Sequence, residues 1–201
     1  VFQKVMKQTC SAADELNIAI VRGHTGMYDS LKDLLGVCTV YGTIKPEKLL
    51  TPKNAMPGDL IYCTKPLGLE TITNYSLMHK EKAQKLFGVK QQEKLSKLVF
   101  MQSCVKEALQ LAESGCVHAM HDATEGGFVA ALNELVEASK LGFKIKWENM
   151  VIPDEVLALQ KCFELTNEQL LSMSSTGTIL AAIDPKSCGK IEELQGKNGL
   201  N

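Results

Sequence analysis

The chain has 201 residues, 45% apolar and 22% charged, with 15 Gly, 6 Pro and a formal net charge of −1. That is an ordinary globular composition, with room for one good-sized domain or for one domain and part of another. The near-zero charge gives no electrostatic ground for a nucleic-acid or membrane-surface partner, and apolar runs such as Ile179–Ile183 are far too short to span a bilayer.

Val1-Phe2-Gln3-Lys4 has no signal-peptide character and reads as helix interior. Phe2, Val5, Met6, Ala12, Ala13 and Leu16 keep an approximate helical stripe over 3–16. The chain therefore reads as cut at its front, and the tail Gly196–Asn201 as stopping short of a natural terminus. Ile18–Val21 is expected to be a short buried strand, followed by the loop Arg22-Gly23-His24-Thr25-Gly26. The β-branched run Leu34–Ile44 is expected to be a longer strand. Turn formers crowd Thr51–Asp59, which places a domain boundary there and divides 1–52 from 53–201.

Beyond the boundary the pattern predicts a strand at Leu60–Thr64 and helices at Leu69–Met78, Lys82–Phe87 and about Glu93–Glu113, the last stopped by Gly115. A strand at Val117–Met120 runs into the His121-Asp122 loop, and a helix follows from about Gly126 to Lys140, ended by Gly142. Phe143–Trp147 reads as a strand, 154–162 and 167–173 as short helices, Ile179–Ile183 as a strand, and Lys186–Leu194 as the start of a helix. The elements are interleaved without a regular βαβα order, so the expected fold class is a layered α+β domain.

Seven cysteines, at 10, 38, 63, 104, 116, 162 and 188, form no CxxC pair. An odd count without a secretion signal points to free thiols in a reducing cytoplasm, and the absence of a close ligand pair argues against a zinc site.

Four motifs carry possible chemistry. In Val117–Gly127 an apolar strand enters a polar loop, and Gly126-Gly127 then open an amphipathic helix. The first amides of such a helix suit an anion, and glycine admits a ligand close to the backbone. Asp122 and Glu125 would repel a bare phosphate, so a divalent cation is expected between them, with carboxylate and phosphate oxygens as the usual shell of Mg²⁺. The same residues also fit simple capping, with Asp122 or Thr124 as N-cap and Glu125 complementing the helix dipole. His118 and His121 do not make a zinc pair, because an odd separation on a strand turns them to opposite faces.

The second motif, Ile20–Gly26, brackets His24 and Thr25 with Gly23 and Gly26 in a loop that fits either phosphate binding or a structural histidine. In the third, Pro57-Gly58-Asp59 turns into a strand, and Lys65 and Gly68 sit in the following strand-to-helix turn, where the lysine is either solvated or meets a phosphate. The fourth, Ser172–Leu180, is a hydroxyl-rich turn that lines a pocket or is turn chemistry alone.

In their order and spacing the four motifs resemble the aminoimidazole ribonucleotide (AIR) synthetase-like family, which includes selenophosphate synthetase, thiamine-monophosphate kinase and the hydrogenase-maturation protein HypE. Gly23-His24-Thr25, Leu49–Pro52, Pro57-Gly58-Asp59 and Met120–Glu134 are similar to the HypE branch, and Leu171–Leu180 to the family's Ser-Ser-Gly-x-Leu element. The resemblance implies that residues 1–52 end an amino-terminal ATP-binding and dimerisation domain and that 53–201 form the carboxyl-terminal domain. It implies ATP and Mg²⁺ as cofactors, a small-molecule or protein-thiocarboxamide substrate whose oxygen is activated or phosphorylated, and a homodimer in the full-length form. This chain alone would then be catalytically incomplete. The resemblance makes Asp122, His121 and His24 the catalytic candidates and Asp122 and Glu125 the Mg²⁺ ligands. Gly23, Thr25, Thr124, Gly126, Gly127 and Lys65 would bind substrate or phosphate. Arg22 and the stretch Gly26–Asp29 depart from the family pattern and motivate a second reading as a non-catalytic binding or scaffold module; the terminal cysteine of HypE proper is also not in this sequence, so either the tail was removed or the substrate is another one.

Overall fold

A computed structural model of the chain describes residues 1–198; the last three residues, and with them the end of the expected tail, lie outside the described residues. The chain divides into two compact units, Val1–Thr43 and Ile44–Asn201.

In the first unit, helix α1 (Phe2–Glu15) forms as its periodicity predicts. The remainder is irregular, and no residue of 1–43 is buried. The strands expected at Ile18–Val21 and Leu34–Ile44 do not form. Their β-branched residues Ile20, Val21, Val37 and Val40 are all exposed. A strand needs a neighbour's backbone groups and a buried face, and this segment has neither among the described residues.

The second unit is built on a sheet of β1 (Leu60–Cys63), β2 (Val117–Asp122) and β3 (Ile179–Ile183) in the order β1-β3-β2. Both pairings are antiparallel, with Cys63 opposite Leu180 and Asp122 opposite Ile179. The central strand is buried along its whole length, as its apolar run predicts for a strand covered on both faces. Ile179, Ala181 and Ile183 pack with Leu111 of α5 (Val105–Ser114) and Ile191 of α9 (Cys188–Asn198). Leu180, on the other face, packs with Phe128, Ala131 and Leu132 of α6 (Gly127–Ser139). The helices α2 (Leu69–Met78), α3 (Lys80–Phe87), α4 (Val89–Lys97), α7 (Asp154–Cys162) and α8 (Asn167–Leu171) form a further lobe, with a core of Ile72, Leu95, Val156, Leu159 and Leu170. The architecture is the layered α+β domain that the interleaved pattern implies.

Three local expectations fail for physical reasons. The helix expected over 93–113 is broken: α4 ends at Lys97, a 3-10 turn spans Leu98–Met101, and α5 starts only at Val105. The Lys65 ammonium takes the carbonyls of Met101 and Ser103, which an unbroken helix would use internally. Phe143–Trp147 is not a strand: it pairs with neither edge of the sheet, and Phe143 and Trp147 remain about half exposed, at 51% and 45%. Helix α6 ends ahead of Gly142, with Lys140 itself in the left-handed conformation at φ 60°. Among the described residues no helix is long and apolar enough to cross a membrane, and all seven cysteines are free thiols.

Candidate active site at the end of the sheet

β1 and β2 run parallel to each other on either side of β3, so both end where β3 begins. Three loops meet at that end, and hydroxyl groups bind them together. The amide of Thr64 donates to Ile179 O, and the amide of Ile179 donates to the Thr64 hydroxyl oxygen at 2.9 Å. Ala123 donates to Thr178 O, Ser175 donates to Ala123 O, and the Gly68 amide reaches the Ser175 hydroxyl at 2.7 Å. Thr64, Ser175 and Thr178 are buried, and every polar group named here has its partner. The Ser/Thr turn of 172–178 is thus chiefly a structural latch. Helices α2 and α6 rise from two of these loops, so both N-termini open at this end of the sheet.

Asp122 stands at the end of β2, exposed, and its carboxylate accepts a hydrogen bond from the Thr124 hydroxyl. Glu125 is exposed two residues before α6. Neither Asp122 nor Thr124 caps that helix: Gly126 is the N-cap, left-handed at φ 69°, and no side chain accepts from the first turn. The capping expectation therefore gives way to a helix start whose first amides carry no side-chain cap.

The two glycines have reasons within the fold. Gly127 has φ 59°, and a Cβ on it would stand 2.3 Å from Met173 O and 2.9 Å from Leu171 O. A Cβ on Gly126 would stand 2.7 Å from the Ala130 Cβ. Close approach of α6 to the 171–173 backbone, together with a positive φ, demands glycine here without any ligand.

His121 is tied to the fold as well. Its Nδ1 lies 2.7 Å from Asp122 O and its Nε2 lies 2.7 Å from Glu134 Oε2 on α6. Both ring nitrogens are engaged, so neither is free to accept a proton from a substrate in this arrangement. His118 pairs instead with Asp59, at 2.9 Å, at the far end of the sheet, where β2 carries a bulge. The two histidines thus have different partners, and the bulge at His118 breaks the alternation on which their expected opposite facing rested.

Lys65 requires a correction. It is neither solvated nor presented to a phosphate: it is 7% exposed and pairs with Glu107 at 2.7 Å. It also donates to Met101 O at 2.8 Å and to Ser103 O at 2.7 Å, so its three protons have three internal acceptors. Beside it, burial pushes the Cys63 thiol up to about 12. The Cys104 thiol is raised too, first by burial and then by the negative Asp122 carboxylate, with Lys65 opposing.

Gly23, His24 and Thr25 belong to the first unit and lie in an exposed stretch without regular structure. Among the described residues no group of three or more His, Cys, Asp or Glu side chains is arranged to hold a metal. Asp122 and Glu125 are exposed carboxylates on the loop before α6, and Mg²⁺ in phosphate sites is commonly held by one or two carboxylates together with phosphate oxygens and water. Elsewhere in the second unit an open groove of about 1400 Å³ runs along β1, the side of α6 and residues 141–151, and Asp122 is not among its lining residues.

Glu107 lies in no motif and is missed by the sequence; Ser175 and Glu134 lie in the stretches quoted above, but their long-range partners, Gly68 and His121, are not legible there. The Thr176 hydroxyl, which donates to the Glu70 carboxylate from 106 residues away, is of the same kind.

Comparison with known proteins gives these features a family. The family described as "AIR synthase related protein, C-terminal domain" matches residues 56–201. The selenide, water dikinase of Myxococcus xanthus is 30% identical over 167 residues, covering 79% of this chain and 43% of the relative. A protein of Methanocaldococcus jannaschii named for hydrogenase expression/formation is 26% identical over 202 residues, covering 98% of this chain and 56% of the relative. The chain thus spans about half the length of these curated relatives. Escherichia coli HypE is similar in fold, with a TM-score of 0.58 at 19% identity over 75% of this chain and 43% of that one. So is the hydrogenase maturation protein HypE solved in complex with ATP, with a TM-score of 0.54 at 16% identity over 76% of this chain and 42% of that one. The chain belongs to the AIR synthase-related family, and residues 56–201 are its match to that family's carboxyl-terminal domain.

Proposed function

We propose that this chain is the carboxyl-terminal part of an ATP-dependent enzyme that transfers a phosphoryl group to a small nucleophilic acceptor, with the end of the sheet around Asp122 as one wall of its site. The observation that carries the reading is the exposed Asp122 carboxylate beside the uncapped start of α6, in a chain of a family with a selenide, water dikinase and an ATP-bound HypE among its relatives and fold neighbours. Phosphoryl transfer asks a protein mainly for positioning and charge neutralisation. The α6 amides supply fixed partial positive charge toward an anion. Asp122 and Glu125 are the residues that would hold Mg²⁺, which, when bound, neutralises charge on the phosphate oxygens. Thr124 orients the Asp122 carboxylate, and His121 holds the end of β2 to α6 through Glu134. The full-length protein is a homodimer in this reading, and its acceptor is an amide-type oxygen, as in the HypE-like branch, or selenide, as the dikinase name states. Magnesium-dependent ATP turnover of the full-length protein tests it: Asp122→Asn lowers turnover at least tenfold, and unchanged turnover with unchanged Mg²⁺ dependence removes Asp122 from the site.

One set of observations favours the scaffold reading. Gly126, Gly127 and Lys65 all have structural reasons that need no ligand, so part of the motif would persist in a protein without activity. Absence of ATP binding by the full-length protein in calorimetry would decide for it.

A further inference from the structure

The outer edge of β1 and the segment that follows α6 carry unmatched backbone on either side of one groove. β1 sits at the margin of the sheet and pairs only with β3, so among the described residues its outer amides and carbonyls have no backbone partner. The groove of about 1400 Å³ is lined there by the consecutive residues 60–64, as happens along a strand's edge and not across one of its faces. Its other side is lined by residues 141–146, again consecutively. Among the described residues none of the amides of 141–146 donates to a backbone carbonyl.

The 143–147 segment has the pattern of the missing neighbour. Phe143, Ile145 and Trp147 alternate with the exposed Lys144 and Lys146. The three apolar side chains already share a face, since all of them line one small pocket of about 210 Å³ against Phe128 and Leu132 of α6. Ile145 packs on the same apolar cluster as Ile61 and Cys63 of β1, whereas Phe143 and Trp147 remain about half exposed. At the near end Lys140 is left-handed, and a Cβ on Gly142 would meet nothing within 4 Å, so the chain has room to turn there. A strand entered from α6 would run parallel to β1, because α6 returns from the end of β2 and β1 and β2 point the same way.

We propose that the 143–147 segment is a strap that closes onto β1 as a further strand, giving the order strap-β1-β3-β2, and that the structure holds its open form. Closing matches the two rows of backbone groups and fills the pocket beneath Phe143 and Trp147. It also covers an edge that is otherwise a template for pairing with another chain, and leaves Lys144 and Lys146 on the solvent side, where edge strands commonly carry lysine. Nothing in this closure depends on a ligand at Asp122.

The test is residue-resolved hydrogen exchange of the full-length protein, with acrylamide quenching of Trp147 read as the difference between wild type and Trp147→Phe. In a paired strand every second amide faces the neighbour, so alternate amides of 143–147 exchange about tenfold or more slower than those between them, and Trp147 is shielded from acrylamide. Phe143→Asp sets a charge where the closed strap buries a ring. It lowers the protection of the strap by about tenfold or more and leaves exchange in β3 unchanged. Fast exchange at all of these amides overturns the proposal, as does protection without alternation, which marks a segment that is covered and not paired. Alternating protection that Phe143→Asp leaves intact, or that fades on dilution as pairing with a second copy would, overturns it as well.

Discussion

Replacing Lys65 by methionine removes one half of a buried ion pair and leaves three acceptors behind. The Lys65 and Glu107 side chains are 4% and 10% exposed and meet at 2.7 Å. Breaking such a pair from one side costs about 3–5 kcal/mol, because the remaining charge stays buried without a partner. Here the carbonyls of Met101 and Ser103 also lose their donor. For a unit of this size about 1 kcal/mol corresponds to roughly 2–4 °C, so the thermal midpoint of Lys65→Met should fall by about 6–20 °C. The double variant Lys65→Met with Glu107→Leu should regain a large part of the loss, since replacing both ends of a buried pair by apolar groups is often close to neutral. Urea unfolding of the wild-type chain, both single variants and the double variant measures this directly. A loss under about 1 kcal/mol in Lys65→Met, or a double variant no better than the single, would refute the structural assignment of the lysine. A lysine that served a phosphate directly would behave differently, losing ATP affinity with little change in midpoint.

Gly127→Ala forces a Cβ to within 2.3 Å of Met173 O at a positive φ, and should cost at least about 2 kcal/mol in urea unfolding, more than the strain of a left-handed alanine alone. Leu180→Ala, in the fully buried central strand, should cost about 2–5 kcal/mol by the same measurement. Alkali should destabilise the second unit. The Cys63 thiol is raised from 9.0 to about 12 and the Tyr62 hydroxyl from 10.0 to about 12, both first by burial. An acid whose folded pKa is raised contributes stability that is intact below its unfolded pKa and is lost as pH climbs to the folded one, here from about 9 to about 12. Unfolding midpoints should fall across that window, and Cys63→Ala should flatten the fall; a midpoint independent of pH there would contradict the burial. At pH 8 the same burial should leave Cys63 unalkylated while the exposed Cys10, Cys38 and Cys162 react, which mass spectrometry of the labelled chain reads out.

What could be read from the sequence followed the range over which each signal acts. The buried run Ile179–Ile183 announces a covered central strand, and the stripe of Phe128, Ala131, Leu132 and Leu135 announces the helix packed on it. These are local periodicities, and burial confirms them. Phe143–Trp147 has an equally good alternation and is not a strand, because a strand also needs backbone pairing with a neighbour, which it does not make and which no local pattern records. The break at Gln102 is invisible for a related reason: its cause is the ammonium of Lys65, 36 residues away from Met101. The Asp122 loop was legible as a strand running out into a helix start. The cause of its glycines was not, since the atoms that exclude a side chain at Gly127 belong to 171–173. Lys65 shows the limit most plainly, because its motif places it correctly in the turn and says nothing of the carboxylate waiting at Glu107.

Hydrogen exchange of the full-length protein with and without ATP and Mg²⁺ tests the central claim most directly. The account predicts that ATP slows exchange at the amides of Ala123–Phe128, which open α6, and that Asp122→Asn abolishes this protection while leaving exchange in β3 unchanged. Protection confined to regions outside these amides, or protection that survives Asp122→Asn undiminished, would contradict the placement of an ATP-dependent site at the end of the sheet.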